Sequence, residues 1–116
     1  IDRVFSMKGQ GCVVTGTVLG NEITSQEKLL VCDINKTCKI KNMQVHSQDA
    51  EIAKISHRVA LNLANVDAKA LKKGFLLSKK GYLRGFRNID IAFSTLGEKR
   101  KLRHNKNYAI YIGAKR

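Results

Sequence analysis

Along most of the chain, apolar and polar residues alternate with a period of two, in short runs bounded by glycine, asparagine and aspartate. That is the pattern of half-buried antiparallel strands. It predicts strands over Val4 to Met7 and Cys12 to Leu19, joined by the turn "KGQG", and over Glu27 to Asp33 and Thr37 to Val45, joined by Ile34-Asn35-Lys36. Ile52 to Ile55, Val59 to Val66 and Phe75 to Ser78 supply the remaining strands. Proline is absent and helix-period stripes are scarce, so the expected class is all-β, a closed six- or seven-stranded antiparallel barrel over residues 1–81. The one short helix expected is "DAKALKK", Asp67 to Lys73, with Asp67 as its cap, lysines near its carbonyl end and Gly74 closing it.

The alternation stops in "SKKGYLRGFRN", Ser78 to Asn88, where glycines and basic residues replace it. Residues 82–88 are the expected linker. A fresh pattern over Ile89 to Leu96 and Tyr108 to Ala114, around the basic loop "GEKRKLRHNKN", predicts a partial second β unit over residues 89–116. Two strands cannot bury a core alone, so this unit is either truncated or packed onto the first barrel.

The stretch "KGQGCVVTG", Lys8 to Gly16, raises the question of a phosphate cradle. A P-loop needs GxxxxGK followed by serine or threonine, the lysine for phosphate oxygens and the hydroxyl for magnesium. Gly11 and Gly16 have that spacing, but Thr17 stands where the lysine must be. The dinucleotide fingerprint fails too, because Cys12, Val13 and Val14 follow Gly9-Gln10-Gly11 without a third glycine or a helix pattern. The reading left is a hairpin turn using glycines at positive φ, with Gly16 marking a bulge or a close approach by another backbone or a ligand.

Charge narrows the partners. The chain has 22 lysines and arginines against 9 acids, a formal charge of +13, which steers it toward phosphate-rich partners such as RNA. Residues 82–116 hold nine of the basic residues and two of the acids. The three cysteines, Cys12, Cys32 and Cys38, form no CxxC and are an odd set, which points to a reducing cytosol over a disulfide framework. Cys32 and Cys38 lie three residues on either side of Asn35, a spacing that lets them face each other across the hairpin as small apolar residues. His46, His57 and His104 are scattered without zinc spacing, so no metal site is expected. No apolar run approaches the roughly 18 residues of a membrane span, and Ile1 follows no charged-then-apolar leader. A cytoplasmic segment of a longer protein is the expectation.

"IDRVFSMKGQGCVVTGTV", Ile1 to Val18, resembles the opening of the second domain of translational GTPases of the elongation factor Tu type. The run to Gly81, including "RVALNLANVDAKALKKGFLLS", is similar to the selenocysteine-specific branch of that family, and the chain past Ile89 resembles the start of its third domain. Asp2, Arg3 and Arg58 favour that branch over Tu, which carries acidic and amide residues there. The resemblance implies a GTP-dependent parent that delivers selenocysteinyl-tRNA to the ribosome. GTP and magnesium would be held in a separate GTPase domain preceding Ile1, so this segment would itself hydrolyse nothing and carry no catalytic residue. The second-domain barrel would hold the aminoacylated 3′ end of tRNA, the terminal adenosine lying against Met7, Gly9, Val13, Gln44 and Asn62. Gln44 stands where Tu-type factors have glutamate. Asp2, Arg3 and Arg58 would line the aminoacyl pocket. Selenols are more acidic than thiols, whose unperturbed pKa is about 8.5, so two guanidiniums oriented by one carboxylate can select the selenolate over serine.

Two rival readings stay open on the sequence. One is the second domain of another translational GTPase, Tu or an initiation factor. The other is a stand-alone basic barrel stacking RNA bases on aromatics, although only "GYLRGFR" interleaves aromatics with arginine and aromatics are 6% of the chain. No paired carboxylates, nucleophile with base, or metal cluster points to an enzyme.

Overall fold

The computed structural model describes residues 1–97 and 101–114. Among the described residues nine strands form in chain order: β1 (Arg3–Met7), β2 (Gly11–Thr17), β3 (Ile23–Thr24), β4 (Lys28–Val31), β5 (Lys36–Val45), β6 (Gln48–Asp49), β7 (Ile52–Ala53), β8 (Arg58–Ala64) and β9 (Leu77–Ser78). Seven of them build one antiparallel sheet in the order β1-β2-β8-β5-β4-β9, with β6 folded back onto β5. Strands β3 and β7 pair separately.

Alternation sorts each strand into a core side and an outer side. Cys12 and Val14 of β2, Leu29 and Val31 of β4, Cys38, Ile40, Met43 and Val45 of β5, and Val59, Leu61 and Leu63 of β8 all point inward. The spacing changes once. Between Ile40 and Asn42 the β5 ladder slips by one residue against β8, and Lys41 is the extra residue of a β-bulge. Without it, Asn42 and Gln44 would turn inward and Met43 outward.

The sheet edges meet by a device other than the ladder expected of a closed barrel. Strand β9 is two residues long and pairs only with β4, so the ladder does not return to β1. Instead Gly74 N–H donates to the Ile1 carbonyl at 2.8 Å, and the Ile1 nitrogen donates to the Phe75 carbonyl at 2.8 Å. The Ile1 backbone also runs beside Gly16, where a Cβ would stand 3.6 Å from Ile1 Cα, an ordinary van der Waals contact. Gly16 marks no bulge, since β2 keeps its register on both sides, and the contact with Ile1 leaves room for a Cβ. In the β1–β2 turn, Gly9 and Gly11 have φ of +80° and +82°, the conformation the "KGQG" reading requires.

Three local expectations are corrected. The 67–73 helix is a 3₁₀ turn of three residues, Ala68–Ala70, capped by Asp67, whose carboxylate accepts from Lys69 N–H at 2.9 Å. It stops because Leu71 turns extended and is buried in the core. Cys32 and Cys38 do not face each other: Leu29 pairs with Cys38 and Val31 with Lys36, which leaves Cys32 in a four-residue turn. Residues 89–96 and 108–114 form no strand beyond an isolated bridge at Ile112. Their apolar side chains, such as Phe93 and Ile110, stay exposed, as a two-stranded unit without a third partner leaves them. Three residues of the basic loop, 98–100, lie outside the described residues. No helix among the described residues is long and apolar enough to cross a membrane.

Burial raises the Cys12 thiol pKa, with the Asp67 charge adding to it, and burial likewise raises that of Cys38. Because the thiolate is the reactive form, a thiol reagent should label Cys32 first in the native protein. Cys12 and Cys38 should react only after denaturant is added, and equal native rates for all three would contradict the buried placement. Core packing has its own test. Ile40→Val, at a fully buried site, should lower the unfolding free energy in urea by about 0.5–1.5 kcal/mol. Ile52→Val, half exposed, should change it by less than about 0.5 kcal/mol.

Candidate nucleic-acid interface

The outer side of β1, β2, β8 and β5 is one continuous surface, and ladder register fixes its rows. One row runs Phe5, Val13, Asn62, Asn42. The next runs Arg3, Thr15, Ala60, Gln44. Thr17 and Arg58 pair at the rim beyond them, and Met7 pairs with Gly11 at the opposite end beside the turn that holds Gly9. Thus Met7, Val13, Gln44 and Asn62, which come from four different strands, lie on one face, with Gly9 at its border.

Asn62 sits at the centre of this face. Its Oδ1 is buried and has no hydrogen-bond partner among the described residues, and the same holds for Thr15 Oγ1 on the neighbouring strand. An unpaired buried oxygen of this kind costs about 1–3 kcal/mol. On the other side of Asn62, Asn42 Nδ2 and Gln44 Nε2 both donate to Asp49 Oδ1, at 3.1 and 3.0 Å. These bonds, Gln44 first and Asn42 second, hold the Asp49 carboxyl below its ordinary pKa. They also orient both amides. Gly9 has no atom within 4 Å of where a Cβ would stand, so its positive φ is what demands glycine, and the space beside it is open.

At the rim, the Arg58 guanidinium is bonded to the Asp2 carboxylate and donates to Thr17 Oγ1 at 2.9 Å. Asp2 N–H donates to the Thr15 carbonyl at 2.7 Å, which extends the β1–β2 pairing by one residue and brings the carboxylate to the rim. Arg3 lies on the same face two strands from Arg58, exposed and without a side-chain hydrogen bond or ion pair among the described residues. The fold therefore joins Asp2 to Arg58, 56 positions apart in the chain, and leaves the Arg3 guanidinium uncommitted.

Asn42, Asp49, Thr15 and Thr17 were not singled out from the sequence. For Asn42 a signal existed: the apolar residues in "KIKNMQV" fall at 40, 43 and 45, a three-then-two spacing that betrays the bulge. Nothing local marks the others, because their placement depends on which strands become neighbours. The His46 and His57 rings approach to 5.9 Å, a proximity their separation in sequence conceals. No group of three or more His, Cys, Asp or Glu that could hold a metal ion forms among the described residues.

No family model matches the chain. It is 36% identical over 78 residues to the selenocysteine-specific elongation factor of Desulfomicrobium baculatum, covering 67% of this chain and 12% of that protein. Against the factor of the same name from Methanocaldococcus jannaschii it is 35% identical over 80 residues, 69% of this chain and 17% of the relative. A crystal structure of a bacterial selenocysteine-specific elongation factor superposes with a TM-score of 0.65 at 36% identity, over 69% of this chain and 14% of the other. The chain thus spans only a small part of the relatives' length. Over that part, a shared strand arrangement and more than a third of the residues in common place the chain in the selenocysteine-specific elongation factor family.

Proposed function

We propose that this chain binds the aminoacylated 3′ end of tRNA as the second-domain segment of a cytoplasmic, GTP-dependent elongation factor that delivers selenocysteinyl-tRNA to the ribosome. The observation that carries the reading is the single outer face shared by Met7, Val13, Gln44 and Asn62 beside the Asp2–Arg58 rim. The terminal adenosine lies against Met7, Gly9 and Val13, where the surface is apolar and open. Asn62 presents its half-buried amide side chain at the centre of the face, and Gln44 is held in place for the ribose by Asp49.

The amino acid then reaches the rim. A selenolate is an anion at neutral pH, whereas a serine hydroxyl is not. Arg58, held by Asp2 and Thr17, and the uncommitted Arg3 offer it two guanidiniums, and serine gains no charge-assisted bond from either. GTP and magnesium do not fit this chain. Residues 11–17 carry the only P-loop-like spacing, yet they form a continuous strand paired on both sides. GTP chemistry therefore belongs to the GTPase domain of the parent protein, and that domain is a partner of this segment.

Residues 82–88 serve as the linker to a partial third domain over residues 89–116, whose exposed apolar residues wait for further strands. Limited trypsin digestion should cut first at Arg84 and Arg87. Early cleavage at the barrel lysines, with both arginines resistant, would remove this boundary.

Arg58→Ala in the full-length protein tests the pocket. Binding of selenocysteinyl-tRNA should weaken by about 1.5–3 kcal/mol, the range for a hydrogen bond to a charged group, while binding of seryl-tRNA changes little. Equal loss for both would assign Arg58 to the sheet rim or the tRNA backbone. Its ion pair is largely exposed and contributes at most ~1 kcal/mol to folding, so the variant stays folded.

A further inference from the structure

The outer face does not stop at Asn62. Two residues along β8, on the same face, Ala64 pairs with Lys39, and Lys39 pairs in turn with Lys28 of β4. Two exposed lysines thus stand directly opposite each other across an antiparallel ladder, an arrangement that is destabilising when nothing lies between them. Lys41, exposed at the bulge, adds a third positive charge beside them.

No acid among the described residues neutralises this group. The carboxylate nearest in sequence, Glu27, is committed elsewhere: Oε1 pairs with Lys79 at 2.8 Å and Oε2 accepts from Thr24 N–H. Asp49 is taken up by the Asn42 and Gln44 amides. Lysines often guard sheet edges against aggregation, but β5 lies inside the sheet between β8 and β4, so edge protection does not account for Lys39.

We propose that Lys28, Lys39 and Lys41 form a phosphate-binding strip that takes the phosphodiesters leading into the terminal adenosine. The inference rests on the acceptor-end reading above and extends it. Its support is order along one strand: Arg58 at the rim, Asn62 in the middle and the Lys39 partner Ala64 at the far end, six residues apart or roughly 20 Å at the rise of a strand. The ligand has the same chemical order, from aminoacyl group to adenosine to phosphodiester backbone. Phosphates between Lys28 and Lys39 would convert their mutual repulsion into shared attraction.

The test is the salt dependence of tRNA binding by the full-length protein. Each phosphate contact on a single strand contributes about 0.7 to the slope of log K against log salt. Lys28→Ala/Lys39→Ala should therefore flatten the slope by about 1.4, with the same fold-loss for selenocysteinyl- and seryl-tRNA and a melting temperature equal to or above that of the parent protein. Lys54→Ala/Lys72→Ala removes the same charge elsewhere and should leave the slope unchanged. An unaltered slope in the first variant, or an equal drop in both, overturns the strip. A flattened slope with no tRNA discrimination by Arg58 would sink the aminoacyl pocket and leave the strip standing. Absence of tRNA binding by the parent protein would end both.

Discussion

Everything in this chain depends on the pairing of β8 with β2 on one side and β5 on the other. Side chains along a strand alternate between faces, so this one seven-residue segment does two jobs at once. Val59, Leu61 and Leu63 enter the core, and Arg58, Ala60, Asn62 and Ala64 form the spine of the outer surface. A slip of one residue would exchange the two sets and destroy both core and site. The burial of three apolar side chains therefore holds the register on which every proposed ligand contact relies.

The outer surface is built with polar groups that the fold leaves incompletely used. Asn62 Oδ1 and Thr15 Oγ1 lie buried without partners, Arg3 makes no side-chain bond among the described residues, and Lys28 faces Lys39. Each costs folding free energy or adds none. The exposed members of this set, Arg3, Lys28 and Lys39, are open to a ligand's negative charge. By contrast, Asn42, Gln44 and Asp49 are fully tied together, which gives the surface a preset shape beside the open positions.

Small irregularities do the positioning. The bulge at Lys41 turns Asn42 and Gln44 outward while Met43 and Val45 stay in the core, so one inserted residue separates the core side chains from those of the outer face. The sheet edges meet through Ile1, Gly74 and Phe75, and this clasp places Asp2 next to β2 and within reach of Arg58. The rim pair thus follows from how the edges are joined.

By itself the sequence determined the local elements. Alternation identified β1, β2, β4, β5 and β8 to within a few residues, the glycines of "KGQG" located the first turn, and Asp67 marked the start of the 3₁₀ turn. It also carried, through resemblance, the residues of the candidate face. The tertiary structure alone decided which strands became neighbours, because pairing β2 with β8 joins segments more than 40 positions apart and is set by mutual burial of their apolar sides. The edge clasp and the Asp2–Arg58 contact depend on that choice, whereas the four-residue turn that holds Cys32 is set by the β4–β5 register. Residues 89–96 and 108–114 show the converse: their alternation is as regular as that of the sheet strands, yet without a partner sheet to cover its apolar side it forms no ladder, since a strand is stabilised by what it pairs with and not by its own pattern.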